Sequence, residues 1–322
     1  MDTTLWPKTS TEVSRIGFGT WSHGGPREVD GNAVGWSGQD DTRSREALVT
    51  AFERGITHWD TADVYGDGHS ERLIGQVWSR VPREQVFLAS KVGWDPGPYD
   101  HYYEPRHMRE KLEASLSSLG TEVIDLYYLH HCDFGPEDRY FDAAVEQVER
   151  FRAEGKVRFL GLSDWDCDKV ARFAPRMGPD VVQPYRNVLD DRYEASGLKA
   201  WVEESGAGVA FFSPLKHGLL LGKYEEPAEF PEGDMRRRIP EFRDPQALAR
   251  FRRAKEAIEE RFADHPQPVL HAVTGALLAD APQGVVLLGL RDPAQAEAAG
   301  SLGTPLSAED AAWVRALFRG TT

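Results

Sequence analysis

At 322 residues, with 40% apolar and 28% charged side chains, the chain has a soluble globular balance and enough apolar material for a sizeable core. Its 38 basic against 52 acidic side chains give a net charge of -14, a field that repels phosphate backbones and anionic membranes and argues against nucleic acid as a partner. No stretch approaches the ~18 apolar residues of a membrane span, the start "MDTTLWPKTSTEV" carries no secretory pattern, and two cysteines, Cys132 and Cys167, are too few for a disulfide framework or a four-cysteine zinc site; a cytoplasmic protein is expected.

Short apolar runs rich in β-branched and aromatic residues recur along the chain: "RIGFG" from Arg15, "GITHWD" from Gly55, "QVFLASK" from Gln85, "VIDLYYLHH" from Val123, "VRFLGLS" from Val157, "DVVQP" from Asp180, "GVAFFS" from Gly208 and "GVVLLGL" from Gly284. Each reads as a buried strand. Amphipathic segments separate most of them. Ser44 to Gly55 places Leu48, Val49 and Phe52 at helical spacing before a glycine; "MREKLEASLSSLG" does the same with Leu112, Leu116 and Leu119, and "FDAAVEQVERFRAEGKV" with Val145, Val148 and Phe151. Alternation of strand and helix predicts a parallel sheet with helices outside, and eight strands predict an α/β chain closed into a (β/α)8 TIM barrel as one domain over 1–322. An open doubly wound sheet is the competitor, but the early G-x-G-x-x-G fingerprint is missing.

Nearly every strand run turns polar at its C-terminal end, at Asp60, Lys91, His130, Ser163, Gln183, Ser213 and Arg291. A barrel gathers those ends on one face, where βα loops build active sites. Long loops at 22–42 and 93–104, rich in glycine, proline and aromatics, are expected to overhang that face, and 224–265 reads as an insertion that starts irregular and becomes a charged helix. In such a ring Tyr65, Lys91 and Asp60 suit proton transfer: a neighbouring ammonium is expected to lower the phenol pKa, and Asp60 to hold and aim that ammonium. His130 supplies a second donor to a carbonyl oxygen. Protonation of a developing alkoxide is the oxygen half of carbonyl reduction by hydride transfer. His58, Tyr127 and Tyr128 read as packing residues, and the adjacent His130 and His131 face opposite ways, which argues against a metal pair.

The segments "RIGFGTW", "DTADVYG", "ASKVG", "LGTEVIDLYYLHH", "GKVRFLGLSD", "QPYRN", "FFSPLKHGLLLGKY" and "LLGLRDPAQAE" resemble, in order and over nearly the whole chain, the aldo-keto reductases. The resemblance implies an NADP-dependent aldo-keto reductase that reduces a small-molecule aldehyde or ketone to an alcohol, with Asp60, Tyr65, Lys91 and His130 as the catalytic tetrad and Tyr65 as proton donor; a cofactor-binding regulatory subunit is the alternative. It assigns Ser163, Asp164 and Gln183 to the nicotinamide carboxamide, Phe212 to stacking on the ring, and Thr20 and Trp21 to cofactor binding. Ser213, Leu215, Lys216, Gly218 and Lys223 match the pyrophosphate segment, and Gly289, Arg291 and Gln295 the adenosine end. Arg236 matches a basic residue that closes over phosphates, so NADPH is favoured over NADH. The chain departs from the family at Asp164, usually asparagine, and at Ala298 and Ala299, usually a Glu-Asn pair that reads adenine. Trp21, Trp36 and Trp94 are expected to line the substrate pocket, with Tyr99, Tyr102 and Tyr103 as further loop aromatics. No metal is implied.

Overall fold

Two strands precede the expected ones. β1 (Thr3–Trp6) and β2 (Thr11–Ser14) form an antiparallel hairpin, Thr3 opposite Ser14 and Trp6 opposite Thr11. The barrel begins at β3 (Ile16–Gly19), and the long loop behind it folds back on itself as a short antiparallel pair, β4 (Glu28–Val29) and β5 (Asn32–Ala33). The remaining staves are β6 (His58–Asp60), β7 (Phe87–Val92), β8 (Ile124–Leu129), β9 (Val157–Asp164), β10 (Val181–Pro184), β11 (Gly208–Phe211) and β12 (Gly284–Gly289). Each pairs in parallel with the next, and β12 returns to β3 with Gly289 opposite Gly19, so the eight strands close. This computed structural model describes residues 1–29 and 32–320; Asp30 and Gly31 of the first long loop, and Thr321 and Thr322 of the C-terminal tail, lie outside the described residues.

Helices fill the connections: α1 (Asp41–Glu53), α2 (His69–Gly75), α3 (Pro105–Leu119), α4 (Phe141–Ala153), α5 (Cys167–Met177), α6 (Arg192–Ala195), α7 (Leu198–Ser205), α8 (Pro245–Arg261), α9 (Pro268–Ala279), α10 (Pro293–Ala299) and α11 (Ala308–Arg319). Their starts follow from capping. Asp40 accepts the N–H of Arg43, which sets α1 three residues earlier than its apolar spacing alone indicates, and Ser307 accepts the N–H of Asp310 at the start of α11. Each such cap stabilises its helix by about 1 kcal/mol. Gly120, Gly178 and Gly206 end α3, α5 and α7 in the left-handed conformation that glycine adopts without penalty. The insertion runs as expected, irregular to Asp244 and then helical as α8.

Strand alternation divides the core in two. Ile16, Phe18, Trp59, Leu88, Tyr127, Leu129 and Leu162 point outward against the helices, whereas Phe87, Ala89, Leu126, Tyr128, Val181, Ala210, Val285 and Leu287 fill the barrel interior. The hairpin closes the interior from the N-terminal ends of the strands. Trp6 is fully buried, donates Nε1–H to the Gln283 carbonyl at 2.8 Å, and lies so close to Gly208 that a Cβ there would stand 2.5 Å from its indole. His58 is the packing residue its position suggests: it meets Trp6 edge-on at 5.4 Å and Phe87 at 5.3 Å.

Candidate active site

The C-terminal ends of the strands meet in one cleft of about 1400 Å³ that runs from Asp60, Tyr65 and His130 to Arg291, Gln295 and Ala299. At its inner end Lys91, fully buried in β7, donates from Nζ to Asp60 Oδ1 at 2.5 Å and to the Thr61 carbonyl at 2.7 Å, with Tyr65 Oη at 3.5 Å. Asp60 ends β6, so the parallel pairing of β6 with β7 brings its carboxylate level with the ammonium. Its other oxygen accepts from Gln183 Nε2 at 2.7 Å, and the Gln183 carbonyl accepts from Ser163 Oγ at 2.9 Å. The turn that carries Tyr65 is held by a backbone-to-backbone approach: a Cβ on Gly66, where φ is +63°, would stand 2.2 Å from the Gly24 carbonyl oxygen. Tyr65 stacks on Trp21 with centroids 6.2 Å apart and meets His130 edge-on at 5.9 Å.

The electrostatics correct one expectation. Tyr65 does not have a lowered pKa; burial pushes the phenol well up, and the charges of Asp60 and Asp63 push it further. The ammonium beside it is engaged by a carboxylate and a carbonyl, which offsets its pull on the phenol. Tyr65 is therefore protonated at neutral pH. Burial pulls Lys91 down, opposed by Asp60. Burial also pulls His130 well below its ordinary value, followed by the charge of Lys91, leaving a neutral imidazole whose Nδ1 is buried without a partner among the described residues.

Two further assignments change. Asp164 does not line the cleft, because its carboxylate turns back to accept the N–H groups of Cys132 and Asp166, both at 2.8 Å. Thr20 is also absent from the wall: fully buried, it donates to the Asp60 carbonyl and accepts from Ser70 Oγ at 2.7 Å, which ties β3 to β6 and α2. Ser163, Gln183, Phe212, Ser213, Leu215, Lys216, Gly218, Lys223, Arg236, Gly289, Arg291 and Gln295 all line it, as do Trp21, Trp36 and Trp94. Tyr102 and Tyr103 instead anchor the outer side of their loop, on the carbonyls of Asp133 and His131. Sequence reasoning missed Trp165 and His217, which complete an aromatic chamber with Trp21 and Trp36; His217 lies 5.7 Å from Trp21 and 5.5 Å from Trp36. The signal was available: one follows the polar end of β9, the other sits inside the quoted loop "SPLKHG".

The far end of the cleft is cationic. Arg236 is held by a two-pronged contact to Asp234, and Lys216 pairs with Glu241. Lys223 and Arg291 are each pulled down by burial and by the positive charge of Arg236, and Arg291 also lowers Lys223. Backbone geometry is unusual there too: Ser213, Lys216 and His217 adopt left-handed φ of +57°, +44° and +60°, each costing about 1 kcal/mol for a residue with a side chain. Opposed cations, an unpartnered buried Ser22 Oγ and a strained loop in one elongated cleft fit a bound polyanion of dinucleotide shape.

The sequence profile described as "Aldo/keto reductase family" matches residues 15–318. The chain is 30% identical over 325 residues to the aldo-keto reductase YhdN of Bacillus subtilis, covering 100% of this chain and 95% of that one. It is 31% identical to the NADH-specific methylglyoxal reductase of Escherichia coli, over 66% of this chain and 67% of the relative. Among solved structures, the glycerol dehydrogenase of Gluconobacter oxydans superposes with a TM-score of 0.79 at 27% identity, covering 98% of this chain and 94% of that one. The chain belongs to the aldo/keto reductase family, enzymes that pass a hydride between a nicotinamide cofactor and a carbonyl or alcohol. No helix among the described residues is long and apolar enough to cross a membrane.

Proposed function

We propose that this enzyme is an NADPH-dependent reductase of uncharged aldehydes or ketones, with Tyr65 as proton donor. The observation that carries the reading is the meeting of Lys91, Asp60, Tyr65 and His130 at one end of a cleft whose other end holds mutually repelling cations. When bound, a reduced nicotinamide supplies hydride to the carbonyl carbon; Ser163, Gln183, Phe212 and Trp21 hold its ring end, Ser213, Leu215, Lys216, Gly218 and Lys223 the pyrophosphate, and Gly289, Arg291, Gln295 and Arg236 the adenosine end. The chain's own work is on the oxygen. Tyr65 and the neutral His130 donate hydrogen bonds to it, and as negative charge develops the phenol proton moves from Tyr65 to the substrate. Lys91, 3.5 Å from Tyr65 Oη, stabilises the phenolate left behind. Asp60, pinned by Gln183, keeps Lys91 aimed.

The substrate class follows from the chamber. Trp21, Trp94, Trp165, Phe212 and His217 surround the approach to Tyr65. The cations near them are already engaged: Arg27 with the Val64 carbonyl and Asp67, Lys91 with Asp60, Arg236 with Asp234 and Lys216 with Glu241. Burial holds His217 down to about 3, so it is neutral as well. An anionic carbonyl compound entering this chamber loses its hydration without gaining a partner, whereas a flat or ring-bearing neutral one stacks. Two buried free thiols, Cys132 and Cys167, suit the reducing cytoplasm in which we place the enzyme.

The test is a fluorescence titration with NADPH and NADH, followed by benzaldehyde and then glyoxylate in the same cuvette. Tighter NADPH binding with consumption on benzaldehyde alone supports the reading. Tight binding with no consumption of cofactor by any carbonyl points instead to a regulatory subunit, and equal binding of NADH removes the NADPH preference, which the NADH-specific relative from Escherichia coli keeps in play.

A further inference from the structure

Two carboxyl groups close to Lys91 have no part in the chemistry above. Asp63 lies in the turn between β6 and α2, two residues before Tyr65, and both of its oxygens are buried with no hydrogen-bond partner among the described residues. Its backbone N–H reaches the Lys91 carbonyl at 3.4 Å. The nearest cation, Lys111 on α3, stands 3.8 Å from Asp63 Oδ2 and is drawn toward Asp95, at 3.2 Å. Glu71, on α2, is 1% exposed and accepts from Ser90 Oγ at 2.6 Å. Ser90 precedes Lys91 in β7, and alternation turns it to the helix side while Lys91 faces the mouth, so Glu71 lies behind the wall that carries the lysine. Tyr127 of β8, its hydroxyl buried and unpartnered, adjoins both carboxyls.

Carboxyls this poorly solvated resist ionisation. Burial pushes Asp63 up to about 6 and Glu71 up to about 7, and the charge of Asp63 adds to the second effect. Both act to keep Lys91 protonated, and Asp63 acts to raise Tyr65. The other charged or titratable groups around the pair are Arg27 and Asp95 from the overhanging loops, Asp60, Tyr65 and Asp67 from the turn, Arg72 of α2, Lys91 of β7, Lys111 of α3 and Tyr127 of β8. Of these, Lys111 exerts the largest opposing pull on Asp63.

We propose that Asp63 is a positioning residue for the proton transfer, a buried carboxyl in the turn of Tyr65 whose negative charge opposes proton release from Tyr65 and so sets the upper pH limit of carbonyl reduction. Glu71, behind the barrel wall, is the more remote carboxyl, whose own ionisation Asp63 delays. The proposal rests on the reading of Tyr65 as proton donor. Below that limit both carboxyls are neutral and Tyr65 feels Lys91 and Asp60 alone. As pH rises and Asp63 ionises, its charge makes the phenol a weaker acid, and a general acid loses rate as its proton is held more tightly.

The experiment is the pH profile of kcat/KM for benzaldehyde reduction with NADPH, from pH 5 to 9, for the native enzyme, Asp63→Asn, Glu71→Gln and Lys111→Gln. Asp63→Asn is expected to move the falling limb upward by about 0.5 to 1 pH unit, which is about three- to tenfold faster turnover at pH 8, with little change at pH 5.5, and Glu71→Gln to move it by less. Lys111→Gln, at a partly exposed position, removes the cation that favours ionised Asp63 and moves the limb in the same direction. A role in packing alone would lower the whole profile without moving the limb. Folded variants whose profiles superpose on the native one overturn the proposal. Should the buried variants not fold, infrared titration of the native enzyme decides: protonated-carboxyl absorption lost between pH 5 and 8 supports it, and none at pH 5.5 overturns it. Tyr65→Phe serves as the control, because activity surviving there removes the proton-donor reading itself and not merely this extension of it.

Discussion

The two ends of the cleft handle charge in opposite ways. At the inner end the lysine and its carboxylate are paired: Lys91 meets Asp60 at 2.5 Å, Gln183 takes the second carboxylate oxygen, and the histidine is neutral. At the outer end Lys223 and Arg291 push against Arg236, which Asp234 holds in place. A buried, balanced cluster is pre-organised for a reaction that creates charge for an instant. A crowd of cations that depress one another gains from an anionic ligand, and so reports what the ligand carries. The inner end therefore speaks for the chemistry and the outer end for the cofactor.

Substitutions that separate these roles test the contrast. The largest effect is expected from Tyr65→Phe, which should lower kcat by about 10² to 10⁴ while leaving the NADPH dissociation constant unchanged; a parallel loss of binding would place Tyr65 in cofactor recognition. Lys91→Met leaves Asp60 charged and buried without its counter-ion, a situation that costs about 3–5 kcal/mol, to be read by denaturant unfolding. Here the expectation is that Asp60→Asn in the same background recovers part of the loss.

Acid should strike the interior of the barrel. His58 is fully buried and held down to about 3, and His23 to about 4. Because these folded values lie below the unfolded value near 6.5, the unfolded chain binds more protons across the gap, and stability falls as pH drops from about 6.5 toward 4. For His58 the loss reaches about 2 to 3 kcal/mol at pH 4.5. His58→Phe, packed on the same Trp6 and Phe87, should flatten that slope; an unaltered slope would mean that the imidazole is already charged in the fold.

The outer end is the place to look for smaller, cofactor-specific effects. Arg291→Ala should weaken NADPH by about 10- to 100-fold, as expected for a lost charge-assisted contact, with NADH binding nearly untouched and kcat at saturating NADPH retained. Raising salt from 0.05 to 0.5 M should weaken NADPH by about threefold through screening, and should do far less to the buried inner cluster. Salt sensitivity of kcat instead would reverse the contrast between the two ends.

Much of this was legible in the chain. The eight barrel strands coincide with the eight apolar runs because a parallel barrel buries both faces of each strand, and the polar residue closing each run lands at the mouth by topology alone. The hairpin was not legible: its four-residue strands each bury only two side chains and look like a polar terminus. Asp164 and Thr20 were misplaced because residue type does not reveal which way a side chain turns after the strand ends, and both found backbone partners there. The sign of the Tyr65 displacement was missed for a related reason. A lysine nearby was readable, but its capture by Asp60 and the Thr61 carbonyl, and the presence of Asp63 behind it, depend on distances that spacing does not encode.

Trp6 carries a final consequence. Wedged under β11 and bonded to the turn before β12, the indole stops the barrel like a cork, and the vessel above it drains from one side only. Water, product and the proton that recharges Tyr65 must all use the same doorway, beneath Trp94 and Trp165. A bulky molecule lodged there therefore halts chemistry, reprotonation and release together.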